Sequence, residues 1–499
     1  MTLHLHPRYT AFCVLILLSL PLFFINIQDH HGWGDDFALY LNGAMNLAHG
    51  IPLQHNTWIF NPGNTVYSPP SYPPGYSVLL WPVVSRVGIS FRHLCYFNSF
   101  LYLLLMFVSY GWYRTYTGRT AAICMSVMTV YSGYMVSFKS EVLADVPCLL
   151  FIMLYLTIRE SRRHIRYRYL LLIITAFAAI EIRSQAILLL PAEGLVWLVT
   201  VVSTIRQKKQ GQLRNILRQP AVLVISITLL LHFIVSHVLV PATAGTTQFY
   251  FHIFRQALHQ SSPSFLWEKL KDTIGIVTAM PWPGWYAAPA SGIAAFIRAV
   301  LFWAILIPFI IRMVRRPSLA DSFFALMLFM LLFYPCRDPR YFLPLFPVAA
   351  VYLYFTVRTL CIMLPRLHPA TIAIPITIVY FMADYNTLLH AATAPISGGI
   401  MEQREKDAFG YISSHVAYAD VILFTKPRAL ALFTGRRTVN LSWYLSPAAD
   451  KPFLDSIGVK YVLTLQGFDD AAFINYMRAV APPADSTIIG AGYTLYRLR

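Results

Sequence analysis

Acidic residues are scarce in this chain: 22 Asp and Glu among 499 residues, against 39 Lys and Arg. Charged residues of both signs reach 12%, half of the roughly one quarter found in a soluble globular chain. A soluble fold is therefore excluded. Cysteine is sparse as well. The six, at 13, 95, 124, 148, 336 and 361, fall mostly within or beside apolar runs. With no CxxC spacing and no extracellular cluster, neither a thiolate metal site nor a disulfide framework is indicated. No small-residue cleavage site follows the first apolar run, which is also too long for a removed signal, so it reads as a retained anchor. No internal repeat marks an inverted-repeat transporter.

What is abundant is apolar sequence, 57% of the chain, arranged in runs that approach the roughly 20 residues needed to cross a bilayer as a helix. Taken in order they predict about eleven spans: 9–27, 93–113, 119–137, 142–158, 168–183, 185–204, 220–240, 292–311, 319–335, 342–360 and 370–390. Basic loops test the threading. RESRRHIRYR at 159–168, RQKKQGQLRNILR at 206–218 and RMVRRP at 312–317 fall on one side, together with Arg8, Arg114, Arg119, Arg358 and Arg366. The positive-inside rule then puts the N-terminus in the cytoplasm and the C-terminus outside a plasma or bacterial inner membrane. The same rule accounts for the net charge of +17 without a nucleic-acid partner.

Four segments face outward in this threading: 28–92, 138–147, 241–291 and 333–344. After residue 396 the composition changes. Charges return in MEQREKDAFGYISSHV, and the short runs DVILF, VKYVLTL and YTLYRL alternate with helical stretches. The expected organisation is a transmembrane domain over 1–396 and a small soluble α/β domain over 397–499 that covers the outward loops.

Against the general scarcity of acid, the stretch HHGWGDDFALYLNGAMNLAHG places Asp35 and Asp36 side by side where the first apolar run ends. Phe37, Tyr40, Leu41, Ala44, Leu47 and Ala48 follow at helical spacing, predicting an interfacial amphipathic helix terminated by Gly50 and Pro52. One carboxylate is explained as that helix's N-cap; the second gains little from capping and suffers its neighbour's charge. Further along, NTVYSPPSYPPGYSVLLWP (64–82) is expected to be extended and rigid, because its prolines oppose helix. In FKSEVLADVP, Glu141 and Asp145 stand at i and i+4, one face of a helix start, with Lys139 before them; Asp145 also reads as a cap. Arg183 ends the fifth span, and Arg337 and Arg340 lie in FYPCRDPRYFLP. Arg183 and Arg340 also read as interfacial anchors. Together these groups suit a site for an anionic substrate at one membrane face. His30 and His31 read as interfacial polar residues, MPWPGWY (280–286) as an interface belt, and Glu193 as a helix break facing a cavity or a misplaced span boundary.

In this order and combination, WGDDFALYLNGAMNLAHG, YPPGYSVLL, SEVLADVP, EIRSQAILLLPA and RYFLPLFP resemble the GT-C class of polyprenyl-phosphate-sugar-dependent glycosyltransferases, which includes protein mannosyltransferases and the aminoarabinose transferases of lipid A. The resemblance covers about residues 30–350. It implies a lipid-linked sugar donor, a glycan, lipid or protein acceptor on the non-cytoplasmic side, and a first-loop acidic residue as base. Asp35 matches the first position of the class's acidic pair. The second is commonly Glu and is here Asp36. Tyr72 and Tyr341, inside two of the matching blocks, are expected among the substrate-binding residues. The WWDYG-type motif of oligosaccharyltransferases is absent, which argues against transfer to asparagine.

A polyprenyl phosphate leaves readily, so it needs positive charge, from Arg183, Arg337, Arg340 or Lys139, rather than a general acid. The acceptor hydroxyl needs a carboxylate, and attack assisted by one Asp would invert the anomeric centre. The scheme requires no cofactor and leaves room for a divalent ion. Two other readings use similar parts. A transporter or flippase of a lipid-linked sugar would carry charges at the midplane of several spans, and a surface-polysaccharide ligase or polymerase would place Arg and His in a large late loop.

Overall fold

The computed structural model describes residues 7–63, 69–162, 164–206, 220–241, 252–256, 258–259, 262–279, 292–334, 338–363, 372–378, 399–442, 446–466, 471–479, 483–490 and 492–498. Its first part is helical: α1 (Pro7–Ser19), α2 (Asp36–Ala48), α3 (Gly75–Val87), α4 (Phe91–Tyr113), α5 (Arg119–Val130), α6 (Gly133–Phe138), α7 (Asp145–Glu160), α8 (Arg168–Ile182), α9 (Leu189–Arg206), α10 (Pro220–Ile234), α11 (Pro263–Ala279), α12 (Ile293–Arg315), α13 (Leu319–Phe333) and α14 (Phe346–Met363). Among the described residues five helical stretches are long and apolar enough to cross a membrane: Phe91–Tyr113, Ser184–Arg206, Ala221–Leu239, Phe296–Arg315 and Pro339–Met363. Shorter apolar helices lie at Tyr9–Phe23, Arg119–Val130 and Leu319–Phe333. A helix overlies each of the first ten apolar runs; most of 370–390 lies outside the described residues. Large apolar side chains such as Phe24, Phe233, Trp303, Val314 and Ile362 remain more than half exposed, as expected of surfaces that face lipid rather than water.

Buried acids away from the Asp35 pair have local partners. Glu193, on the unbroken α9, accepts both oxygens' bonds from Arg159 Nε at 2.8 and 3.1 Å. It marks an ion pair between helices, not a break. Asp321 completes a capping box with Ser318 and takes Arg312 at 2.9 Å.

Two local expectations are overturned. The proline-rich block is not extended to its end, since α3 starts at Gly75 and contains Pro82. The prolines cluster ahead of the helix, where a missing N–H costs nothing, and a single interior proline is tolerated in an apolar helix. Glu141 is not on a helix. The backbone around it is bonded by neighbouring side chains: Asn98 Nδ2 donates to the Lys139 and Glu141 carbonyls, and His31 Nε2 accepts from Val142 N–H. Helix α7 begins only at Asp145.

The C-terminal region follows α15 (Gln403–His415) with β1 (Val421–Leu423), α16 (Pro427–Thr434), β2 (Arg437–Val439), α17 (Pro447–Ser456), β3 (Val459–Leu465), α18 (Ala471–Ala479), β4 (Pro483–Ile489) and β5 (Tyr493–Leu498). The sheet order is β2-β1-β3-β5-β4; β1 is parallel to both β2 and β3, while β5 is antiparallel to β3 and β4. Alternation divides its two faces. Ile422, Leu463, Leu465, Tyr493 and Leu495 join the core that runs on into the helical bundle. Val421, Leu423, Val439 and Val462 pack with Leu454, Phe473, Tyr476 and Met477 in a second core. The segment after α2 pairs with the sheet's edge: Trp58 bridges Thr438 in parallel, Ile59 N–H donates to Thr438 O at 2.8 Å, and Thr438 N–H donates to Thr57 O at 3.2 Å. Asn61 Nδ2 adds bonds to Asn440 O and Asp450 Oδ1. The sheet is therefore attached to the first loop by main-chain pairing, in the manner of strand addition.

Candidate functional site

The helix after the acidic pair buries Phe37, Tyr40, Leu41 and Ala44 against α3. It ends at Ala48, and Gly50, at φ +69°, turns the chain. Asp35 occupies the N-cap position, yet its side chain makes no capping bond. Oδ1 instead accepts from the backbone N–H of Ala429, 394 residues away, at 3.1 Å. Asp36 is likewise drawn into long-range contacts. Tyr72 OH donates to its Oδ1 at 2.7 Å, Arg340 Nη1 donates to its Oδ2 at 2.8 Å, and Arg428 Nη1 lies 3.4 Å from Oδ1.

Arg340 is presented by a short 3₁₀ turn, Pro339–Leu345, whose start is fixed when Asp338 Oδ1 accepts from Arg340 N–H at 3.0 Å. Its guanidinium also lies over the Tyr341 ring at 5.1 Å. The same ring carries Arg183 at 5.0 Å, and Arg183 Nη1 pairs with Asp145 Oδ2 at 2.7 Å. A connected set results: Asp35, Asp36, Tyr72, Arg340, Tyr341, Arg183 and Asp145. Glu141 stands within the field of Arg340, Asp338, Asp145 and Asp36. Lys139, fully buried, faces Cys95 rather than the acidic pair. Arg337 lies outside the described residues, as do MPWPGWY and most of the 206–218 loop.

The two adjacent aspartates have different electrostatic surroundings. Burial works to raise Asp36, but Arg340, Arg428, the Tyr72 hydroxyl and Arg183 outweigh it and hold the carboxyl well below the ordinary carboxylate range. For Asp35 burial prevails over Arg428, Lys426 and the Ala429 N–H, with Asp36 adding to the rise, so its carboxyl lies above that range. Its Oδ2 faces Arg428 Nε at 3.9 Å, beyond hydrogen-bond reach, and about a fifth of the side chain (21%) is exposed. Asp36 is about as exposed (18%), so charge and not access separates the two: Asp35 is the more basic carboxylate, and Asp36 a fixed anion.

Beside the set lies an apolar cavity of about 180 Å³. Ile187, Leu188, Phe254 and Phe333 contribute its greasy wall; Arg183, Gln185 and Tyr341 line it too. Gln185 Nε2 is buried and finds no acceptor among the described residues, and neither does Asp145 Oδ1 find a donor. Among the described residues no three His, Cys, Asp or Glu side chains converge to hold a metal ion.

Sequence reading missed two residues. Arg428 follows Pro427 at the start of α16, where nothing in PRALALFT signals a partner in the first loop. His31, expected at the interface, is buried: burial takes its imidazole down to about 4, so it is neutral at physiological pH, with Nε2 accepting from Val142 and Nδ1 contacting Gly32 O. It ties the first loop to the second.

The chain has the fold of the GT-C glycosyltransferases. It is similar over 97% of its length, and 97% of that chain, to ArnT from Cupriavidus metallidurans bound to undecaprenyl phosphate, with a TM-score of 0.55 and 13% identity. The archaeal oligosaccharyltransferase AglB from Archaeoglobus fulgidus, in complex with an inhibitory peptide and a dolichol-phosphate, matches over 92% of this chain and 69% of its own (TM-score 0.53, 14% identity). No family model and no curated protein matches the sequence.

Proposed function

We propose that this protein is an integral-membrane glycosyltransferase that moves a sugar from a polyprenyl-phosphate donor to an acceptor hydroxyl outside the cytoplasm. About eleven spans thread the membrane in this reading, and residues 397–499 form a domain on the outer side. The observation that carries it is the joining of an acidic pair to arginines from separate segments, next to an apolar cavity that contains a cationic group. The neighbours with bound undecaprenyl phosphate and dolichol-phosphate supply the donor class.

The isoprenoid near the phosphate occupies the apolar cavity, and Arg183, with Gln185 Nε2, meets the phosphate; Arg340, shared with Asp36, stabilises charge as it develops. The acceptor oxygen bonds to the anomeric carbon as the carbon–oxygen bond to phosphate breaks. Its proton passes to Asp35, and the polyprenyl phosphate departs as an anion among the guanidiniums. Displacement from the face opposite the phosphate inverts the anomeric centre. Asp36 does not compete as base, because its charge is already compensated by Arg340 and Tyr72.

The test uses full-length protein in nanodiscs and a panel of undecaprenyl-phosphate-linked hexoses and pentoses with an envelope extract as acceptor source, reading release of undecaprenyl phosphate. Asp35→Asn should lower the rate about 10²–10⁴-fold, the usual contribution of a positioned base, while binding of undecaprenyl phosphate alone stays close to wild type. A folded Asp35→Asn protein that turns over at the wild-type rate would rule Asp35 out.

A further inference from the structure

We propose that Arg428 is a positioning residue of the active site, contributed by the C-terminal region, which fixes Asp36 and Tyr72 and leaves Asp35 as the reactive carboxylate. The inference rests on the reading of Asp35 as base.

The geometry around Arg428 is that of a group held in place. Its side chain is 2% exposed. Nη2 donates to Pro69 O at 2.9 Å and Nη1 to Tyr72 OH at 3.3 Å, while the guanidinium lies over the Trp58 ring at 4.2 Å and the Tyr72 ring at 5.2 Å. Each contact belongs to the first loop, more than 350 residues away in sequence. The next residue's N–H reaches Asp35, so a single turn of α16 touches both aspartates in different ways: Arg428 Nη1 bonds Asp36 and Tyr72, while Asp35 takes one neutral donor and faces Arg428 Nε only at 3.9 Å.

The pairing of Thr57–Ile59 with Thr438 explains how such placement is maintained. Thr438 Oγ1 donates to Pro427 O at 2.7 Å, linking the paired edge directly to the start of α16. Arg428 therefore belongs to the first loop's own framework and not to a mobile flap. In that position it directs the Tyr72 hydroxyl at Asp36 and keeps Asp36 ionised, so that the proton from an acceptor has one destination. The charged and titratable groups facing Asp35 are Arg428, Lys426 and Asp36; those facing Asp36 are Arg340, Arg428, Arg183, Tyr72 and Asp35.

The test measures Asp35 directly. Full-length wild type, Arg428→Lys, Arg428→Gln and Arg428→Ala are treated with a hydrophobic carbodiimide, which modifies protonated carboxyls, across pH 4–9, and Asp35 labelling is read by peptide mass spectrometry. Loss of a cation at this distance should move the labelling midpoint up by about one pH unit or more in Arg428→Gln, with Arg428→Lys moving less. The acid limb of undecaprenyl phosphate release should move upward by the same amount, a loss of about tenfold per unit at a fixed pH below it. Added guanidinium should restore part of that loss in Arg428→Ala. If the alanine variant does not fold, Arg428→Lys carries the comparison, because it keeps the charge and loses the fork. Unmoved midpoints and rate profiles in folded variants would overturn the proposal and leave Arg428 as packing. A moved midpoint together with a fully active Asp35→Asn protein would instead overturn the base assignment and, with it, the catalytic role of Arg428, while confirming its hold on the pair.

Discussion

Among the described residues no guanidinium is bonded to Glu141, which lies in the field of three other carboxylates. Burial first, then Asp338, Asp145 and Asp36, push its carboxyl up to about 7, against the pull of Arg340. A carboxyl raised in the folded state binds its proton more tightly there than in the unfolded chain. Stability is then highest below the unfolded value and falls as pH rises through the folded one. Glu141→Gln, neutral at every pH, should therefore unfold at a higher temperature than wild type at pH 8, with a difference of up to about 3 kcal/mol that shrinks to under about 1 kcal/mol by pH 5. Thermal melts in nanodiscs at both pH values check it; a gap that widens toward pH 5 would contradict it. Asp36 titrates in the opposite sense, its stabilisation being present at neutral pH and lost only on strong acidification. At this scale the sequence made much visible. Scarcity drew attention to Asp35 and Asp36, and motif order to Tyr72, Arg183, Arg340 and Tyr341. Arg428 was invisible, because a charge 392 positions away on a short amphipathic helix looks like any solvated arginine.

Helices α3 and α8 meet more closely than side chains allow. A Cβ on Gly75 would lie 2.7 Å from the carbonyl carbon and oxygen of Glu181, both backbone atoms with no freedom to yield. Gly75→Ala should force the helices apart at a cost of about 1–3 kcal/mol. It should also weaken undecaprenyl phosphate binding, since Arg183 is two residues beyond the contact. Gly118→Ala, whose Cβ would meet nothing within 4 Å, serves as the matched control; equal melting temperatures for the two variants would refute the close-contact account. The YPPGY block was legible as rigid but not as a helix start, because local proline chemistry does not reveal that the next element packs backbone to backbone. Similarly, the i, i+4 spacing of Glu141 and Asp145 suggested a helical face, whereas side chains of Asn98 and His31 take the backbone groups a helix would have used. The charge of Asp145 still acts on Glu141.

For the whole molecule, the helices under the first ten apolar runs were readable from those runs alone, since lipid demands long, internally bonded segments, whereas α3 and α11, in segments read as outward loops, were not. The pairing of the first loop with the C-terminal sheet was not, because edge complementarity has no sequence signature across such a separation. The proposed placement of that sheet outside the cytoplasm predicts that Tyr418, 60% exposed, replaced by Cys in a chain lacking its six native cysteines, reacts with an impermeant maleimide added to intact cells. Labelling only after permeabilisation would reverse the orientation. The strand pairing also has a consequence for biosynthesis. At roughly 5–20 residues per second, the ribosome needs about 20–80 s to travel the 392 residues from Asp36 to Arg428. Throughout that interval the nascent first loop waits with two neighbouring negative charges and an unpaired edge segment. Any chaperone or lipid headgroup that shelters the loop must be released when the last sheet arrives, so maturation of the proposed site is timed by completion of the chain.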